Sequence, residues 1–188
     1  MATQKLLEIT QNRLKVLFQD QTNNNIVTGA KYKEKYGGGK DYNGFEIKTD
    51  ITISSGQTLK DFENIVVNPT TINITIKNGG TIDNCIITLN VFYIDVDSKT
   101  YYNSIISNGD GGIGNIIGSS ITLNDYSKFY NNDGSINGGS ITLNDCSEFN
   151  NGYGGIGNII DGNITLNGNS IFNNGYGGIG NIIGGSIT

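Results

Sequence analysis

The chain has 188 residues, enough to bury a substantial core without disulfide or metal staples. Its 12 basic and 17 acidic residues leave a formal charge of −5, which argues against broad affinity for nucleic acid or anionic membrane. It has no histidine, its two cysteines, Cys85 and Cys146, lie far apart in sequence, and no stretch approaches the ~20 apolar residues of a membrane span; zinc sites, a disulfide framework and membrane insertion are excluded on these grounds.

The N-terminus lacks the apolar run of a secretory signal, so synthesis in a cytosol is expected. Leu7, Thr10, Leu14 and Leu17 fall at heptad a and d spacing with Leu6, Ile9 and Phe18 beside them, which predicts a helix over 3–19. Two heptads are too few to stand alone. The helix must dock, either as a cap on its own chain or in an oligomer, and Leu7, Leu14, Leu17 and Phe18 are the candidate docking and oligomerisation residues. The stretches 19–25 and 35–44 read as turns or linkers, so residues 1–44 form an attachment segment.

From residue 45 the vocabulary changes. Isoleucine (30), asparagine (28) and glycine (28) dominate the whole chain, and this is an all-β composition with tight corners. ITIS (51–54), INITIK (72–77) and GGTIDNCIITLN (79–90) alternate and turn irregularly, and residues 91–108 interrupt the pattern as an inserted loop or hairpin. Residues 109–188 are repeats: ITLND at 121–125 returns at 141–145, then as ITLNG at 164–168, with a last IT at 187–188. Each unit continues with YSKFYN, CSEFNN or NSIFNN, which aligns Ser127, Ser147 and Ser170, then Phe129, Phe149 and Phe172, then Asn131, Asn151 and Asn174. GNII closes the unit at 114–117, 157–160 and 180–183.

Three short β-branched segments per unit of about 20–23 residues, with no room for a crossover helix, predict a parallel β-helix whose coils stack at about 4.8 Å. Alternation points Phe129, Phe149 and Phe172 inward as a ladder and leaves Lys128, Glu148 and Ile171 outside. Asn124, Asn144 and Asn167 form a second ladder at a corner, because an amide carries donor and acceptor together. Both cysteines read as small buried hydrophobes.

Motifs that would carry chemistry fail on context. The pattern Gly-x-Gly-x-x-Gly occurs at 109–114, 152–157 and 175–180, yet each copy leads into Asn-Ile-Ile and another strand where a dinucleotide site needs a helix. In GGIGNIIGG (177–185) Ile182 stands where a calcium-binding β-roll needs aspartate. Asp125 and Asp145 align one coil apart, but Gly168 replaces them in the next, so no carboxylate pair for acid–base work persists. The threonine column Thr122, Thr142, Thr165 and Thr188 reads as ordinary outward strand residues. No cofactor, metal or catalytic residue is assigned.

Near-identical Asn/Gly/Ile-rich coils behind a distinct N-terminal segment resemble bacteriophage tail fibres, tailspikes and related virion appendages. That resemblance implies a homotrimer, made in the host cytoplasm and placed on the virion, whose N-terminus joins other virion proteins and whose shaft leads to a distal part that meets a host receptor or glycan. DITISSGQTL and NGGTIDNCIITLN also look like passenger repeats of bacterial autotransporter adhesins, the alternative being a cell-surface adhesin or filament subunit. A carbohydrate-active β-helix enzyme is the third reading. The sequence stops one residue short of the next repeat's leucine, so either the chain continues or another subunit covers the last coil.

Overall fold

The computed structural model describes residues 5–68, 72–90, 93–95, 100–101, 105–110, 114–175 and 177–188. The chain winds into a parallel β-solenoid with three walls. The first wall has eight strands, from Leu6–Ile9 to Ser186–Ile187. The second has six, from Ile51–Ile53 to Ile171–Asn174, and the third has seven, from Ile26–Thr28 to Ile179–Ile183. From Gly44 onward the coils visit the first, second and third walls in that order, and the repeats stack in register: Ile121 on Ile141 on Ile164, and Phe129 on Phe149 on Phe172.

Alternation fixes what is inside. In Ser120–Leu123 and Ser140–Leu143 the isoleucine and leucine are buried while serine and threonine face out. One coil cannot bury its own inward side chains, so each depends on the coils above and below.

Corners follow a backbone rule. After Ile26–Thr28, which leads into a helix, the residue that leaves each third-wall strand is Asp61, Asn84, Gly118, Gly138, Asp161 or Gly184, and all six have φ between 50° and 68°. Asn, Asp and Gly are the residues that tolerate left-handed backbone, which is why they interchange down this column. The same logic explains Asp125, Asp145 and Gly168, with φ of 55°, 59° and 65° at the corner between first and second walls. Those aspartates mark a turn geometry.

The N-terminal segment is built into the solenoid. The helix expected over 3–19 is shorter: Leu6–Ile9 is a strand paired in parallel with Gly44–Ile47, and the helix (α1) runs Gln11–Gln19. Thr10, in extended backbone, accepts from the Arg13 N–H and starts it there. Leu7 therefore belongs to strand alternation, and only Leu14, Leu17 and Phe18 share the helix's inward face. All four are buried in the chain's own core, with at most 5% exposed. Of the two docking modes expected, cap or oligomer, their burial fits the cap: these side chains pack into the chain's own core rather than facing outward for oligomerisation.

The helix stands where the first coil has no second-wall strand, and it closes the edge below. The Gln11 side chain accepts from Thr52 N–H (2.8 Å) and donates to Thr52 C=O (3.3 Å), so one amide replaces a missing strand on Ile51–Ile53. A second helix (α2, Gly29–Tyr36), capped by Thr28, lies between the stretches 19–25 and 35–44 that were expected as turns or linkers, and takes in the first two residues of the latter. It carries Tyr32 into an aromatic cluster with Phe45 and Phe62, where its hydroxyl donates to Glu8 C=O (2.8 Å) and burial pushes its pKa up to about 12. The insertion is also shorter than expected. Tyr93–Asp95 and Thr100–Tyr101 form an antiparallel pair, but Ile105–Asp110 is a second-wall strand, with a register shift between Asn108 and Asp110, that places Ile106 inside between Ile74 and Phe129.

Candidate functional site

The interior carries two columns side by side on the second wall. Phe129 and Phe149 are fully buried with ring centroids 4.7 Å apart, and Phe172, half-buried, follows at 5.1 Å. Two residues on in each strand, Asn108, Asn131 and Asn151 are also fully buried. Asn108 Nδ2 donates to Asn131 Oδ1 (2.8 Å), Asn131 Nδ2 to Asn151 Oδ1 (2.6 Å), and Asn151 Nδ2 to Asn174 Oδ1 (2.8 Å). The remaining amide protons bond the same coil's corner carbonyls, Gly134 (3.2 Å), Gly157 (3.3 Å) and Gly180 (3.1 Å).

The sequence aligns Asn131, Asn151 and Asn174 without marking them as buried; the structure places this amide ladder inside, Asn131 and Asn151 fully buried. Its signal is the glycine column Gly134, Gly157, Gly180. A Cβ at any of these would run into the amide oxygen of Asn131, Asn151 or Asn174 respectively. Glycine closes the repeated Gly-x-Gly-x-x-Gly segments at 157 and 180 to leave room for a neighbouring side chain, and no phosphate enters the explanation.

The corner ladder forms as well. Asn124 Nδ2 donates to Asn90 Oδ1 (2.8 Å), Asn144 to Asn124 (2.8 Å), and Asn167 to Asn144 (2.9 Å). It extends further than the repeats suggested, through Asn90 to Asn68 (3.4 Å) and from Asn68 to Glu46 (3.1 Å). Asn124 and Asn144 are half-buried and Asn167 is exposed, so water reaches this ladder.

Ser127 and Ser147 are fully buried, and with Ser170 they form a column of hydroxyls without hydrogen-bond partners. A buried hydroxyl with no partner opposes folding. Ser147→Ala is therefore expected to leave the thermal melt unchanged or raise stability by up to about 1 kcal/mol. A loss of more than that would show that the Ser147 hydroxyl holds a structural partner such as a water.

Of the cysteines, Cys85 is buried and its thiol pKa is pushed up to about 12 by burial, but Cys146 is exposed, which corrects the expectation that both are core residues. Cys146 occupies a corner beside Asp145, where the chain turns and its neighbours in the column are Tyr126 and Asn169.

Outside, the second wall holds the most concentrated polar chemistry of the regular coils. Lys128 lies over Glu148 and Tyr130 over Asn150, which in turn lies over Asn173. Lys128 Nζ is 3.4 Å from Glu148 Oε2, while Glu148 Oε1 accepts from Asn150 Nδ2 (2.7 Å) and Asn173 Nδ2 donates to Asn150 Oδ1 (2.8 Å). Tyr153, from the corner of the next coil, packs on Tyr130 with ring centroids 4.5 Å apart and planes at 37°. Burial raises the Tyr130 pKa, with Glu148 and Tyr153 adding to the rise and Lys128 opposing it. Burial works against the Lys128 ammonium, but Tyr130 and Glu148 outweigh it and hold its pKa above the ordinary value.

On the first wall the outward threonines are flanked by a second column, Ser120, Ser140, Asn163 and Ser186, whose members bond one another: Ser140 to Ser120 (3.1 Å) and Ser186 to Asn163 (2.9 Å). Among the described residues no group of three or more His, Cys, Asp or Glu could hold a metal ion, and no helix is long and apolar enough to cross a membrane. Compared with known protein families, with characterised proteins and with solved structures, the chain matches none.

Proposed function

We propose that the chain is a structural shaft in a virion fibre or similar appendage, a rod whose coils transmit position rather than perform chemistry. The observation that supports this reading most is the continuous interior stack. Phenylalanine and asparagine columns run through successive coils, and the chain's own helices cover the N-terminal end. Stacked coils of this kind resist bending because each contact is repeated at every step along the axis.

In this reading the shaft is a homotrimer on the virion, joined to other virion proteins near its N-terminal end and leading towards a host-binding part. Since Leu7, Leu14, Leu17 and Phe18 are buried, the subunits meet through outward wall faces and helix exteriors. Light scattering with negative-stain imaging tests it. The expected particle is elongated and has three times the 20.1 kDa mass of one chain. A compact monomer would overturn the shaft reading.

A further inference from the structure

The geometry points to a binding strip for a neutral polysaccharide on the outer face of the second wall, centred on Tyr130 and Tyr153. The two rings come from successive coils and meet at 4.5 Å, and Tyr153 keeps 41% of its surface exposed. An amphipathic ring half in water presents a flat apolar face with a polar tip, which matches the apolar face and hydroxyl rim of a sugar ring.

The polar groups beside the rings are held in place before any ligand arrives. Asn150 points outward yet is fully buried, beneath this cluster, and both ends of its amide are bonded, to Glu148 and Asn173. That fixes the Glu148 carboxylate, one oxygen on Asn150 and the other towards Lys128. Lys128 and Glu148 remain about a third and a quarter exposed, so their outer hydrogen-bonding capacity is available. A preorganised set of donors and acceptors beside an aromatic surface recognises hydroxyls at lower ordering cost than mobile side chains would.

Three features select the ligand class. Lys128 is the single basic residue of 111–188 and is already opposed by Glu148, so an anionic polymer gains little here. The strands of this wall are hydrogen-bonded on both sides from 73–77 to 148–151, so a peptide cannot add as a further strand on the strip. Coils repeat at about 4.8 Å along the axis, which suits a linear polymer lying along the wall rather than a small ligand in a cavity. The inference stands on these residues and does not require the shaft reading.

Affinity electrophoresis of the full chain tests it, in native gels containing a soluble β-glucan, a galactomannan or dextran, with hyaluronate as the anionic comparison. Retardation in at least one neutral gel is expected, weakened tenfold or more by Tyr153→Ala and retained by Tyr153→Phe. Tyr153 is exposed, so its alanine variant should keep the thermal melt, and Glu148→Gln gives an independent loss should Tyr130→Ala fail to fold. No retardation by any neutral polysaccharide, retardation by hyaluronate alone, or retardation indifferent to Tyr153→Ala would overturn the assignment. An elongated trimer without retardation would leave the shaft and remove the strip; retardation by a monomer would do the reverse.

Discussion

Phe149→Asp is expected to abolish the cooperative thermal melt. Phe149 has no exposed surface and lies between Phe129 and Phe172, at ring distances of 4.7 and 5.1 Å. Removing a buried phenylalanine costs about 3–5 kcal/mol through lost transfer and the cavity left behind. Burying a carboxylate with no partner adds several kcal/mol, or forces it to take up a proton. The sum approaches or exceeds the roughly 5–15 kcal/mol that holds a typical domain folded. Because each coil lacks a core of its own, the loss spreads to the coils above and below. Phe149→Leu, which keeps an apolar group, should cost about 1–2 kcal/mol, and Phe172→Asp less than Phe149→Asp because Phe172 is half-buried. Circular dichroism melts of the three variants check the order. An unchanged melt for Phe149→Asp would mean that this column does not lie inside.

The columns of the last coils were legible because identical residues recur at the same place in each unit, so inward and outward positions separate by repetition alone. Phe129, Phe149 and Phe172 and the corner amides Asn124, Asn144 and Asn167 are of that kind. The first coil has no repeat to compare with. There Leu7 and Leu14 fit helical spacing as well as they fit a strand followed by a helix, and what decides is tertiary: Leu6–Ile9 pairs with Gly44–Ile47 in the first wall, and Gln11 satisfies the edge at Thr52. The second helix was missed for a similar reason. Gly29-Ala-Lys-Tyr-Lys-Glu-Lys-Tyr36 offers one large buried apolar residue, Tyr32, too few for a periodic signal. The outer strip was hidden because Tyr130 and Tyr153 lie in different elements of successive coils, and only the winding brings their rings together.

The buried amide ladder predicts a difference between two asparagines that the sequence alone treats alike. Asn131→Ala removes an acceptor for Asn108 and donors for Asn151 and the Gly134 carbonyl, all in a site closed to water. With Asn131 gone, the Asn108 amide keeps only a long contact to the Ser135 carbonyl (3.5 Å). Each buried group left unpaired costs about 1–3 kcal/mol, and a total loss of about 2–4 kcal/mol is expected after relaxation. For a chain of this size that is a fall of about 2–4 °C in melting temperature for every kcal/mol. Asn124→Ala breaks bonds of similar length, to Asn90 and Asn144 (both 2.8 Å), but at a half-exposed corner where water replaces the lost partner; a loss below about 1 kcal/mol is expected. Melting temperatures of the two variants, measured side by side, check the argument. Equal losses would mean that burial does not distinguish the two ladders.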